Sequence, residues 1–80
     1  MPYITKGERA LIDHGEKPHT LGQLNYSIMM TISDYLHITG VSGYAPMNNV
    51  MGVLSCVQQE FYRRKMVPYE EKKMAENGDI

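Results

Sequence analysis

Apolar residues recur along this 80-residue chain at three- and four-residue steps, the spacing of helix faces. The clearest set is Leu21, Leu24, Ile28, Ile32, Tyr35 and Leu36. Thr20-Leu21-Gly22-Gln23 precedes it with capping-box spacing, and Gly40 follows where a left-handed cap is common. The pattern predicts a helix over 21–38, roughly 27 Å long at 1.5 Å per residue. Met29 and Met30 widen its apolar arc, so the helix wants neighbours on two sides. A second stripe, Val50, Leu54, Val57 and Phe61, has Met47, Met51 and Val53 at its margins. It predicts a helix from Met47 to about Met66. Between the two lies "TGVSGYAP", Thr39 to Pro46, read as a loop from its glycines and proline.

The two ends are weaker. Thr5-Lys6-Gly7-Glu8 repeats the capping-box spacing and predicts one or two helical turns, with Ala10, Leu11 and Ile12 turned inward. Gly7 weakens that helix, and Gly15 to Pro18 ends it. Towards the C-terminus, Pro68 has no amide hydrogen and its ring crowds the carbonyl of Arg64. Interior proline costs about 3 kcal/mol in a helix, which predicts a kink or break near Lys65–Val67. Tyr69 to Glu76 is helical again by propensity, with Glu70 and Lys73 three apart and Lys72 and Glu76 four apart. Asn77-Gly78 is a stop. No segment sustains strand-like alternation. The expected fold is all-α: one domain over residues 1–80, made of a helical hairpin of two long helices, a short N-terminal helix and a Pro-kinked C-terminal arm.

Size changes this picture. A chain this short buries little core, and small domains depend on disulfides, metals or self-association. Cys56 is the single cysteine, so no internal disulfide can form. Its place beside Val57 suggests a small buried hydrophobe. His14, His19 and His37 are scattered and read as surface residues, and no zinc-ligand spacing is present. The expected support is therefore a homo-oligomer, with several of the seven methionines adapting its packed surfaces. The formal net charge of −1 argues against a nucleic-acid coat. The apolar runs are too short to span a bilayer. A lone cysteine with no leader segment fits a reducing cytoplasm.

Several motifs carry a resemblance: "MPYI" at the start, "GQLNY" at Gly22–Tyr26, "NVMGVL" at Asn49–Leu54, and "EFYRR", "PYEEKK" and "ENGD" near the end. Together they resemble a family of small tailed-bacteriophage proteins. That family has a Gly-Glu-Leu-Asn-Tyr motif and an EFYRR-x3-PYE-x-KK-x3-NGD tail. This chain departs from it at Gln23, where the family is acidic, and at Lys65-Met66-Val67, where it is more apolar. The resemblance implies a phage origin, a helical fold and attention to the two polar motifs. It brings no activity with it. By analogy with other small phage proteins, it implies a task of binding host components, defence proteins and their nucleotide signals among them.

The candidate chemistry lies in those motifs. Tyr62, Arg63 and Arg64 fan over three helix faces, and Tyr69, Lys72 and Lys73 follow the proline. An arm that folds back, or a second subunit, could bring them together. Arginine matches phosphate oxygens with a planar fork of donors, and tyrosine offers a flat face to a base. The plain alternative is a solvated helix end with cations near its C-terminus. Asn25 and Tyr26 sit in the first turns of a helix whose N-terminus favours anions, or else they pack at a subunit contact. No nucleophile–base pair, carboxylate pair, metal cluster or phosphate-binding glycine loop appears, so no enzyme and no cofactor are expected. The first reading is a phage protein that counters host defence. It sequesters a cyclic or linear nucleotide between subunits, through Asn25, Tyr26, Tyr62, Arg63, Arg64, Tyr69, Lys72 and Lys73, in the cytoplasm of the infected host. The alternative is an inhibitor or adaptor that docks on a host or phage enzyme. A salt-sensitive nucleic-acid binder using the RRK cluster comes third.

Overall fold

A computed structural model describes residues 4–80, and every regular element in them is helical. Helix α1 spans Lys6–Asp13, α2 Leu21–Thr39 and α3 Tyr44–Phe61. A π-helical turn over Tyr62–Met66 leads directly into α4, Val67–Asn77. The described residues contain no strand. The chain divides into two compact units, Met1–Ser42 and Gly43–Ile80.

In the first unit Thr5 and Thr20 both cap their helices, but only Thr5 with Glu8 closes the full box. The Glu8 amide donates to Thr5 Oγ1 at 3.1 Å, and the Glu8 carboxylate accepts from the Thr5 amide at 3.5 Å. Helix α1 closes with a pair of reaching bonds, Glu16 N–H to the Leu11 carbonyl at 3.0 Å and Gly15 N–H to that of Ile12 at 2.9 Å. This closure needs a left-handed residue, and Gly15 supplies it at φ +105°. Helix α2 starts at the expected residue and ends at Thr39 against left-handed Gly40, φ +69°. The half-buried residues of α1 are Glu8, Arg9 and Ile12, while Ala10 and Leu11 are exposed. Of the expected inward face of α1, Ile12 holds, whereas Ala10 and Leu11 do not turn inward. Two polar side chains, Glu8 and Asp13, anchor α1 to α2 and set which face meets it.

In the second unit, α3 begins three residues before Met47. Tyr44, Ala45 and Pro46 form its first turn, behind Gly43 at φ +98°. The first-turn amides of a helix have no partner inside it, so proline sacrifices nothing there and does not mark a loop. Nor does the chain break at Pro68. The Val67 amide bonds to the Tyr62 carbonyl, five residues back rather than four. This wider register relieves the contact between the proline ring and the carbonyl behind it. It cannot continue, because the next amide would belong to Pro68. The α-register resumes and runs to Asn77, where Gly78 at φ +85° donates back to the Met74 carbonyl at 2.8 Å.

No described residue is buried. Val50, Leu54, Ile32 and Leu36 are half-buried. Leu21 remains 86 % exposed, Val57 58 % and Phe61 60 %. Cys56, expected inside, is exposed on α3. Among the described residues no helix is long and apolar enough to cross a membrane.

Candidate functional site

The second unit holds six of the eight candidate residues on one unbroken helical run. Glu60 and Arg64, one turn apart, pair at 3.2 Å. Lys73 pairs with Glu76 at 3.3 Å, and its ammonium lies 5.7 Å from the centroid of the Tyr69 ring. The spacing had suggested Glu70–Lys73 and Lys72–Glu76 pairs. Lys73 instead sits between an aromatic ring one turn before it and a carboxylate one turn after it, and both attract its charge. Among the described residues Arg63 and Lys72 form no ion pair. Within this unit the arm does not double back at Pro68. Arg64 and Lys72 are eight residues apart along the run, a separation of about 12 Å on the helix axis. One copy therefore does not draw the arginines and lysines into one cluster.

Two shallow grooves run along α3 into the π turn. One is lined by Gln58, Phe61, Tyr62 and Met66 among others, and the second by Cys56, Val57, Glu60 and Arg63 among others. Tyr62 and Arg63 thus belong to different sides of the helix.

Asn25 and Tyr26 lie on α2 in the first unit. Asn25 is exposed. The Tyr26 hydroxyl donates to both oxygens of Asp13, at 2.9 and 3.1 Å. Partial desolvation, reinforced by this bond and by the negative charge of Asp13, raises the phenol above its ordinary range. Its neighbour Gln23 is a hub that sequence reasoning missed. Gln23 Oε1 accepts from the His19 amide at 2.8 Å, and Gln23 Nε2 donates to Glu8 Oε2 at 3.0 Å. The Gln23 amide itself donates to Thr20 Oγ1 at 3.1 Å. The caps of α1 and α2 are thereby joined through Gln23 and Glu8. The Gln23 bond, helped by the Thr5 amide, holds the Glu8 carboxyl below its ordinary value. Glu8 thus reaches the first turn of α2 through the Gln23 side chain. These links cross 13 and 15 residues, and no periodic spacing announces them.

Among the described residues no group of His, Cys, Asp and Glu side chains is arranged to hold a metal. The fold and these groups define a small all-α protein, with a hydrogen-bonded helix pair in one unit and a tyrosine- and cation-bearing helix in the other. The chain belongs to the family described as a domain of unknown function, DUF6899, whose model matches residues 1–80. No curated protein matches the chain, and no solved structure does.

Proposed function

We propose that this protein is a non-enzymatic, homo-oligomeric phage protein, with its two long helices forming a hairpin. It takes a phosphorylated, nucleotide-type molecule into a pocket between subunits. In the cytoplasm of an infected bacterium, that capture withdraws a defence signal from its host receptor.

The absence of any buried residue among those described carries this reading. The apolar stripes of both long helices are left half-buried or exposed, whereas a folded chain of this mass ordinarily hides them. Arg63 and Lys72, which form no ion pair among the described residues, support an anionic ligand, and exposed Tyr62 and Tyr69 support one with a flat base. Since one copy does not cluster the arginines and lysines, the pocket requires a second copy.

Titration calorimetry with a panel of cyclic and linear nucleotides, run beside sedimentation of the same sample, tests both parts. The expected result is an oligomer that binds at least one nucleotide with a stoichiometry below one per chain. A folded monomer, or an oligomer giving no heat with any nucleotide, overturns the reading. A stoichiometric host-protein partner recovered by such a nucleotide-silent monomer points to the docking alternative.

A further inference from the structure

Glu-Asn-Gly-Asp at residues 76–79 closes α4, and the proposed ligand makes no use of it. The chain has four asparagines, Asn25, Asn48, Asn49 and Asn77, and glycine follows only the last. The side-chain amide of an asparagine is an electrophile that the backbone nitrogen of the next residue can attack. A side chain on that next residue obstructs the approach, and glycine has none. Asn25, Asn48 and Asn49 lie inside α2 and α3, where the amides that follow them belong to the helical ladder. Asn77 is exposed and is the last residue of α4. Gly78 stands at φ +85°, a conformation that favours glycine, and no described atom lies within 4 Å of where its Cβ would be. The cap thus demands the one residue type that leaves Asn77 open to attack. What opposes the attack is the cap itself. The Gly78 N–H donates to the Met74 carbonyl at 2.8 Å, and the helical backbone at residue 77 must unwind before a ring can close.

We propose that Asn77 is a site of spontaneous deamidation, gated by opening of the α4 cap. When the cap opens, the Gly78 nitrogen gives its proton to solvent base and attacks Asn77 Cγ. A C–N bond forms, and the side-chain nitrogen leaves as ammonia with a proton from water. Water then opens the resulting cyclic imide. Cleavage at Cγ leaves aspartate at residue 77. Cleavage at the main-chain carbonyl leaves isoaspartate, with the chain running on through the side chain. The reaction consumes water and releases ammonia, with no change of oxidation state. Either product adds one negative charge, which takes the formal net charge from −1 to −2. The new carboxylate stands at the negative end of α4, between Glu76 and Asp79, where the helix dipole disfavours it. It also stands one helical turn after Lys73 and competes for the ammonium that Glu76 and the Tyr69 ring now share. Isoaspartate lengthens the main chain and so displaces the Gly78 amide from the Met74 carbonyl. The arm therefore carries an irreversible change that frays α4 and alters the charge around Lys73, whatever the tail binds.

The test incubates the full chain at mildly alkaline pH, folded and in denaturant. Its peptides are then mapped by mass and by chromatography that separates aspartate from isoaspartate. Asn77 should convert before Asn25, Asn48 and Asn49. In the folded chain it should convert about fivefold more slowly than in denaturant, the ratio that corresponds to one net hydrogen bond in water. Ala75→Gly weakens the last turn of α4 and should remove most of that difference. Asn77→Asp should speed amide exchange along α4 without any incubation. Earlier conversion of another asparagine overturns the site, and so does an Asn77 that stays intact in the folded chain while it converts in denaturant. Equal rates in the two states overturn the gating by the cap.

Discussion

Replacing Pro68 with alanine tests whether proline is what opens the π turn. In an α-register through residue 68, proline loses one amide bond and presses its ring on the carbonyl behind, at a cost of about 3 kcal/mol. The wider turn over Tyr62–Met66 avoids that contact. Alanine removes the reason for it. An amide at 68 can bond to the Arg64 carbonyl, which contributes about 1 kcal/mol net, and alanine is the best helix former. Pro68→Ala should therefore stabilise the local helix by about 1–3 kcal/mol. It should also turn everything beyond Tyr62 by roughly 100°, the angle of one residue in 3.6 per turn. Tyr69 would then leave the Phe61 face. Amide hydrogen exchange and nuclear Overhauser contacts across residues 61–68 read the register. The Val67 amide should change its acceptor from the Tyr62 carbonyl to that of Arg63. If Val67 keeps its bond to Tyr62 in the alanine variant, the π turn has a different origin and the reasoning fails.

Gln23→Glu exchanges a donor for a second carboxylate beside Glu8. It should lower the thermal midpoint at neutral pH, and the loss should shrink as pH falls towards 4 and one carboxyl takes up a proton; a loss independent of pH would refute the repulsion. For the wild type, Glu8 is held below its ordinary value of 4.5. Its contribution is complete above that pH and is lost as pH falls through the lower, folded value. Tyr26 is shifted the other way, so its contribution is complete below about pH 10 and is lost as pH rises through its raised value. Thermal melts against pH should show both edges, and Tyr26→Phe should remove the alkaline one. Gly40→Ala meets no neighbour within 4 Å but must adopt φ +69°, so it should cost about 1 kcal/mol in chemical unfolding. If folding is completed by association, the thermal midpoint should rise with protein concentration, by roughly 4 °C per tenfold for a dimer of chains this long.

Much of the helix layout was legible because helix ends are local events. Thr5 with Glu8, Thr20 with Gln23, Gly40, and Asn77-Gly78 all act within a few residues, and each lies where the structure uses it. Errors arose where a local signal has two meanings. Pro46 reads as a loop residue, yet the first turn of α3 tolerates it. Pro68 reads as a breaker, yet a change of hydrogen-bond register absorbs it. The candidate site was legible only as a list of residue types. One added residue in a turn decides which of them share a face, and composition carries no trace of that. Glu8–Gln23 and Asp13–Tyr26 were invisible because a non-periodic loop separates the partners.

The hydrogen bonds divide the problem in the same way. Outside the helical ladders, most side-chain bonds join residues two to four apart, and the exceptions link α1 to α2. Such bonds specify where helices begin and end, but each adds little net free energy in water. Burial of apolar surface is the larger driving force, and it scales with the area covered. The stripe from Met47 to Phe61 lies on one face of a helix whose ends are already fixed, so covering it requires no further change in local structure.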